Sequence, residues 1–269
     1  MAGGVILKSR KMVLAAVCSA ALAIESIGEP ARPTIVAAEQ VGTRIVMLDP
    51  DVVAPENARI IWEWKPKNDP NVIAAGLAGR FGNPDECKMS SDRTKILMCS
   101  SDNGFAVVDV ATTNAVACGY VPFGGKYANL HSISELPDGN VVVAGSEHPG
   151  CLVVVDISTP CSATQPQSVL EYPGGHGVIW DWDRNCLWAT GTGKLSRFSY
   201  DRETKTLTEE KTWAFPKGSE SITGHDLVWK DAAHTRIVVT GGIGLMYLDM
   251  ADADTATALT GCEPQLQVV

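Results

Sequence analysis

A four-stranded unit recurs along this chain, and its most regular mark is a histidine. His131, His176 and His225 stand 45 and 49 residues apart, and each heads a short strand pattern followed by a polar turn and a β-rich return. The three stretches read HSISELPDGNVVVAGS, HGVIWDWDRNCLWATG and HDLVWKDAAHTRIVVTGG. A period of this length fits one blade of a β-propeller.

The other segments fall into the same frame. A first unit comprises TIVAAEQ, TRIVMLDPD and RIIWEWKP, and it has no innermost strand ahead of TIVAAEQ. Residues 68–82, bracketed by Pro and Gly, are expected to form a connecting loop with about one helical turn. The second unit runs ECKMSSD, KILMCSS, GFAVVDVAT and AVACGYVPF; three further units follow, ending in a ragged tail at QLQVV. Gly, Asp, Asn and Pro turns join the strands, and no convincing amphipathic helix intervenes. The expectation is an all-β propeller of four-stranded blades with about five blades present. An open ring would leave two sheet edges bare, so the chain is expected to be C-terminally incomplete.

Residues 1–23 have the pattern of a secretory signal: Lys8, Arg10 and Lys11 precede an apolar run from Met12 to Ala23. That run is too short for a membrane span. Residues 24–33 are expected to be a linker and 34–269 the propeller. Removal of the signal takes the net charge from −9 to −12, which disfavours nucleic acid and anionic lipid as partners. The expected protein is a secreted monomer with a small-molecule or glycan ligand at the channel mouth. An exported chain tolerates disulfides, and seven cysteines follow the signal. Their odd number leaves at least one thiol unpaired within the chain. Several lie in apolar strand patterns (LMCSS, GCLVVV, NCLWAT) suited to buried free thiols. No Cys-x-x-Cys pair occurs, which removes a zinc-ribbon reading. The seven tryptophans are expected chiefly to pack between blades.

The segments AAEQVGTRIVMLDPD, IIWEWKP, FGNPDECK, LHSISELPDGNVVVAGS, HGVIWDWDRNCLWATGTGKL and GHDLVWKDAAHTRIVVTGGIGLMY resemble the domain of unknown function 6528 family, a family of secreted β-propellers. They span about residues 34–248. The resemblance implies a ring that is six-bladed in type, of which this chain lacks the last blade. It implies no particular reaction.

In a propeller blade, the start of the first strand and the end of the second lie at the same face of the ring. His131, His176 and His225 are therefore expected to converge at one channel mouth. Gln40, ending the second strand of the first unit, should approach that mouth, and Lys88 is assigned to the first-strand start of the second unit. Three imidazoles and an amide oxygen can hold Zn²⁺, Mn²⁺ or Fe²⁺ with a position open for substrate. The candidate metal ligands are thus His131, His176, His225 and Gln40, with Lys88 and His131 as candidate proton-transfer groups. Propeller-fold sugar lyases that hold a metal by several His and a Gln are similar in layout, which is analogy alone. A lyase- or hydrolase-like action on a carbohydrate or small carboxylated ligand is one expectation; a non-catalytic glycan- or protein-binding propeller is the other. His148 and His234 are placed in solvent-facing turns.

Overall fold

The computed structural model describes residues 34–49, 59–123, 126–147, 149–163, 167–241 and 244–263; the expected signal and linker lie outside them. The described chain is a β-propeller. Its first blade has three described strands, β1 (Ile35–Glu39), β2 (Arg44–Leu48) and β3 (Ile60–Trp64). The second comprises β4 (Pro84–Met89), β5 (Lys95–Ser100), β6 (Gly104–Asp109) and β7 (Asn114–Tyr120). A two-residue pairing of β8 (Pro122–Phe123) with β9 (Lys126–Tyr127) leads into the third blade, β10 (Leu130–Glu135), β11 (Val141–Gly145), β12 (Cys151–Val155) and β13 (Gln167–Glu171). The fourth is β14 (Val178–Asp181), β15 (Cys186–Gly191), β16 (Lys194–Asp201) and β17 (Thr206–Ala214). The fifth is β18 (Gly224–Trp229), β19 (Arg236–Gly241), β20 (Gly244–Asp249) and β21 (Thr260–Glu263). Every neighbouring pair within a blade is antiparallel. Between β3 and β4 the expected helical turn is α1 (Pro70–Ala74).

Burial explains the sequence pattern strand by strand. Blades stack face on face, so the middle strands are covered on both sides and run apolar without alternation: β11 and β12 are buried throughout. The outer strand β17, TLTEEKTWA, is largely exposed and carries polar residues. Each core lies between two blades. Ile45 and Met47 of the first meet Ile96 and Met98 of the second. Phe105 and Val107 meet Val141 and Val143, Val142 and Leu152 meet Leu187 and Phe198, and Trp188 and Trp213 meet Ile237 and Val239. Trp64, Trp188 and Trp213 are fully buried fillers, whereas Trp182 is 48% exposed.

The strands nearest the axis, β4, β10, β14 and β18, pack side by side without pairing their backbones. Side-chain oxygens accept the N–H groups that pairing would otherwise have served. Glu86 Oε2 accepts from Ile133 N at 2.9 Å, Ser132 Oγ from Val178 N at 3.0 Å and Ser134 Oγ from Trp180 N at 3.0 Å. Blades four and five approach closely at Gly177, where an added Cβ would stand 2.6 Å from the Leu227 Cβ. In the first blade, Thr43 Oγ1 in the turn after β1 reaches the Gly82 carbonyl just before β4 at 3.4 Å. The end of β1 thus lies at the face where β4 begins, the position of a second strand.

Candidate functional site

A cavity of about 360 Å³ opens at the face where the axial strands begin, here called the upper mouth; it is lined by Asp85, Glu86, His131, His176, His225 and Asp226. Local backbone irregularity in three blades sets up four of these residues. The pairing register slips between Pro84 and Glu86, between Leu130 and Ser132, and between Gly224 and Leu227. The residues at the slips are Asp85, His131, and His225 with Asp226. An extra residue in one strand re-aims its side chain and ends the regular ladder. Here the same device, repeated in three blades, turns chemistry-bearing groups toward one opening. His176 directly precedes β14 and is anchored through its own N–H to the Thr190 carbonyl at 3.0 Å.

The three imidazoles meet. His131 and His176 stack with centroids 3.9 Å apart and planes 25° off parallel; His176 and His225 are 4.5 Å apart at 51°. Burial, then the neighbouring His131 and His225, hold His176 down at about 3. His131 is also lowered, chiefly by burial and further by His225, against the pull of the Asp85 and Glu147 carboxylates. At neutral pH these two rings are uncharged. The amide of Asn129 donates to His131 Nε2 at 2.8 Å, leaving the proton on Nδ1, which faces Asp85 Oδ1 at 4.0 Å. Asp85 also accepts a very short hydrogen bond from the Ser101 hydroxyl.

Lys88 lies three residues deeper on β4 than the slip, and Asp85, not Lys88, is the residue of the second blade that corresponds to His131. The ammonium donates to Glu86 Oε2 at 2.9 Å, Ser132 Oγ at 3.0 Å and the Val178 carbonyl at 2.7 Å, so all three N–H bonds are used. Ser132 Oγ in turn donates to Glu86 at 2.6 Å. This bridge ties β4, β10 and β14 together across the axis. A lysine with every N–H bond so engaged is a strut and not the base the sequence reading assigned. Gln40 is exposed in the turn after β1 and does not line the cavity. It reaches the expected face but not the cluster, because β1 stands one strand out from the axis.

The donor set does not fit a three-imidazole cage. Metal-bound nitrogens converge on one ion at about 2 Å, whereas the stacked rings of His131 and His176 direct theirs along nearly parallel planes and the His225 ring is tilted 51° from His176. Among the described residues, the group that brings three ligand atoms within 4.8 Å of one another lies elsewhere: Asp181, Asp183 and His234. That group can hold a metal ion, although Asp181 is already engaged by two backbone N–H groups, Arg184 and Trp188. His234 sits in a turn at φ 50°, yet it is bonded to Asp183 at 2.8 Å and stacked on Trp229, so it does not simply face solvent. His148 lies outside the described residues.

Asp85, Glu86 and Asp226 are the site residues that the sequence reading missed or left aside. The signal was present: Asp85 stands 46 residues before His131, within the spacing of the histidines themselves. Compared with known families, residues 7–265 match the family of unknown function DUF6528. The chain belongs to the DUF6528 family. A search of curated proteins found no match. For this DUF6528 protein, the chemistry must therefore be argued from the mouth itself. Two neutral imidazoles, a third at the rim and two carboxylates with no cationic partner among the described residues line the cavity and favour hydroxyl-bearing or cationic ligands over anions.

Proposed function

We propose that the protein is an exported propeller whose upper mouth takes a carbohydrate. The observation that carries this reading is the contact of His131, His176 and His225, two of them held neutral, beside Asp85 and Asp226. Neutral imidazoles both donate and accept, and carboxylates accept from sugar hydroxyls. A small carboxylated ligand is the poorer match, since Lys88 is spent on Glu86. It would need a divalent ion, Zn²⁺, Mn²⁺ or Fe²⁺, to offset the acidic rim. Export is supported by the signal-like N-terminus and by the Cys118–Cys161 disulfide.

In the catalytic version of this reading, lyase- or hydrolase-like, proton transfer falls to His131, oriented by Asp85. One observation favours the non-catalytic glycan- or protein-binding version: Asn129 already occupies His131 Nε2. Calorimetry with neutral oligosaccharides and uronates, with and without divalent metal, tests the proposal alongside elemental analysis of the purified protein. Neutral oligosaccharide should bind without metal, and His176→Ala and His225→Ala should each weaken it by roughly tenfold or more. Binding that survives both substitutions would end this reading. Bond cleavage lost in His131→Ala selects the enzyme; binding without cleavage selects the recognition module.

A further inference from the structure

The upper mouth has an uneven hydrogen-bond inventory. Three carboxylates line it, and each keeps one oxygen that accepts nothing from the described residues. Asp85 takes the Ser101 hydroxyl on Oδ2, which leaves Oδ1. Glu86 takes Lys88, Ser132 and the Ile133 N–H all on Oε2, which leaves Oε1. Asp226 takes the Leu227 N–H on Oδ1 at 2.7 Å, which leaves Oδ2. His176 adds a fourth acceptor. It lines the cavity at 7% exposure, and its ring donates to the His225 backbone, so the second nitrogen accepts and has no partner among the described residues. Against these stands the Nδ1–H of His131, which faces Asp85 Oδ1 at 4.0 Å, too far for a hydrogen bond between them. A neutral His225 offers one donor and one acceptor, so the excess of acceptors stays.

A ligand that satisfies such a mouth brings more donors than acceptors. A hydroxyl offers one donor and two lone pairs; an ammonium offers three donors and no lone pair. Charge runs the same way. Among the described residues Lys88 is the one lysine or arginine bonded to these three carboxylates, and the whole chain stands at −9, which draws cations toward it. We infer that the carbohydrate read by the upper mouth carries free amino groups, an inference that rests on the carbohydrate reading itself. A sugar hydroxyl enters the 4.0 Å gap, accepting from His131 Nδ1–H and donating to Asp85 Oδ1. The ammonium groups donate to the oxygens left on Glu86 and Asp226, in charge-assisted bonds about twice as strong as neutral ones. A bare divalent ion is the poorer occupant. Among the described residues, three ligand atoms within 4.8 Å of one another are found at Asp181, Asp183 and His234 and not at this mouth. An oligosaccharide makes no such demand, because acceptors spread around a rim can each meet a different group of the ligand.

The test is calorimetry at about pH 6, where a free amine is mostly ammonium. The probes are cellotetraose, the glucosamine tetramer and the N-acetylglucosamine tetramer, which share one backbone and differ in a single substituent per ring: hydroxyl, ammonium or acetamide. The glucosamine tetramer should bind roughly tenfold or more tighter than either neutral sugar, and added salt should shrink that advantage. Asp226 is exposed, so Asp226→Asn should fold as the parent does and cut the ratio to under about threefold. Spermidine, a polyamine without hydroxyls, should bind more weakly than the glucosamine tetramer. Equal binding of cellotetraose and the glucosamine tetramer, or an advantage that Asp226→Asn leaves intact, overturns this inference while the carbohydrate reading stands. If spermidine binds as tightly as the tetramer, or if no tetrasaccharide binds, both fall together.

Discussion

His176 carries a pH dependence that can be worked out from its surroundings. Its ring is held at about 3 in the folded protein, against about 6.5 for a histidine in an unfolded chain. Between those values the unfolded state binds a proton that the folded state refuses, so stability rises with pH across that window and is lost on acidification. At one pKa unit per about 1.4 kcal/mol, the contribution is on the order of 3–5 kcal/mol from pH 6.5 to pH 3. Urea unfolding of wild type and His176→Gln over that range should show a shallower loss in the variant; parallel slopes would contradict the assignment. Lys88 supplies the second test at this scale. Lys88→Met leaves Glu86 without its cation in the channel and should cost about 3 kcal/mol, with much of it recovered in the Lys88→Met, Glu86→Gln double variant. If Lys88 were only a free base, the single substitution would scarcely change stability. The spacing of the three histidines was legible because a blade start is a fixed point of the repeat. The role of Lys88 was not, because its partners Ser132 and Val178 come from the next two blades.

Among the elements, the segment between β3 and β4 shows how one residue can fasten two blades. Asp69 caps the short helix α1 by accepting from Asn71 N and Val72 N. It also accepts from the Trp64 indole at 2.7 Å and from Ala115 N of β7 at 2.6 Å. The side chain is 3% exposed, so losing it strands those donors away from water. Asp69→Ala should destabilise the protein by about 3–5 kcal/mol, lowering the urea midpoint with little change in slope. A loss under about 1 kcal/mol would mean that water reaches the donors instead. The Pro and Gly punctuation around residues 68–82 announced a loop with one helical turn, and that much follows from local chemistry. That its capping aspartate also grips the second blade does not, since Ala115 lies 46 residues away. The register slips at Asp85, His131 and His225 were equally hidden: only pairing partners reveal them.

For the whole molecule, the blades form a series in which each core is shared by two neighbours, and the Cys118–Cys161 disulfide ties β7 of the second blade to the connection between β12 and β13 of the third. It closes a loop of 43 residues. Loop-closure entropy makes such a link worth about 2–4 kcal/mol. Cys161→Ser should lower stability by that amount, measured by thermal unfolding under non-reducing conditions, whereas the cost of Cys99→Ala relative to the parent protein should be the same with and without reductant, its thiol being free and buried. No helix among the described residues is long and apolar enough to cross a membrane.

The sequence by itself determined the strand periodicity, the blade repeat and the shared face of the histidines, because these follow from local turn chemistry and from uninterrupted apolar runs that must be covered on both sides. Tertiary structure alone decided which charged groups stand free. Asp85 joined the mouth, Lys88 became a strut and Gln40 stayed outside, because each outcome depends on partners supplied by other blades. The unpaired indole N–H groups of Trp180 and Trp229 among the described residues belong to the same class: whether a donor is satisfied is settled only when distant strands have closed around it.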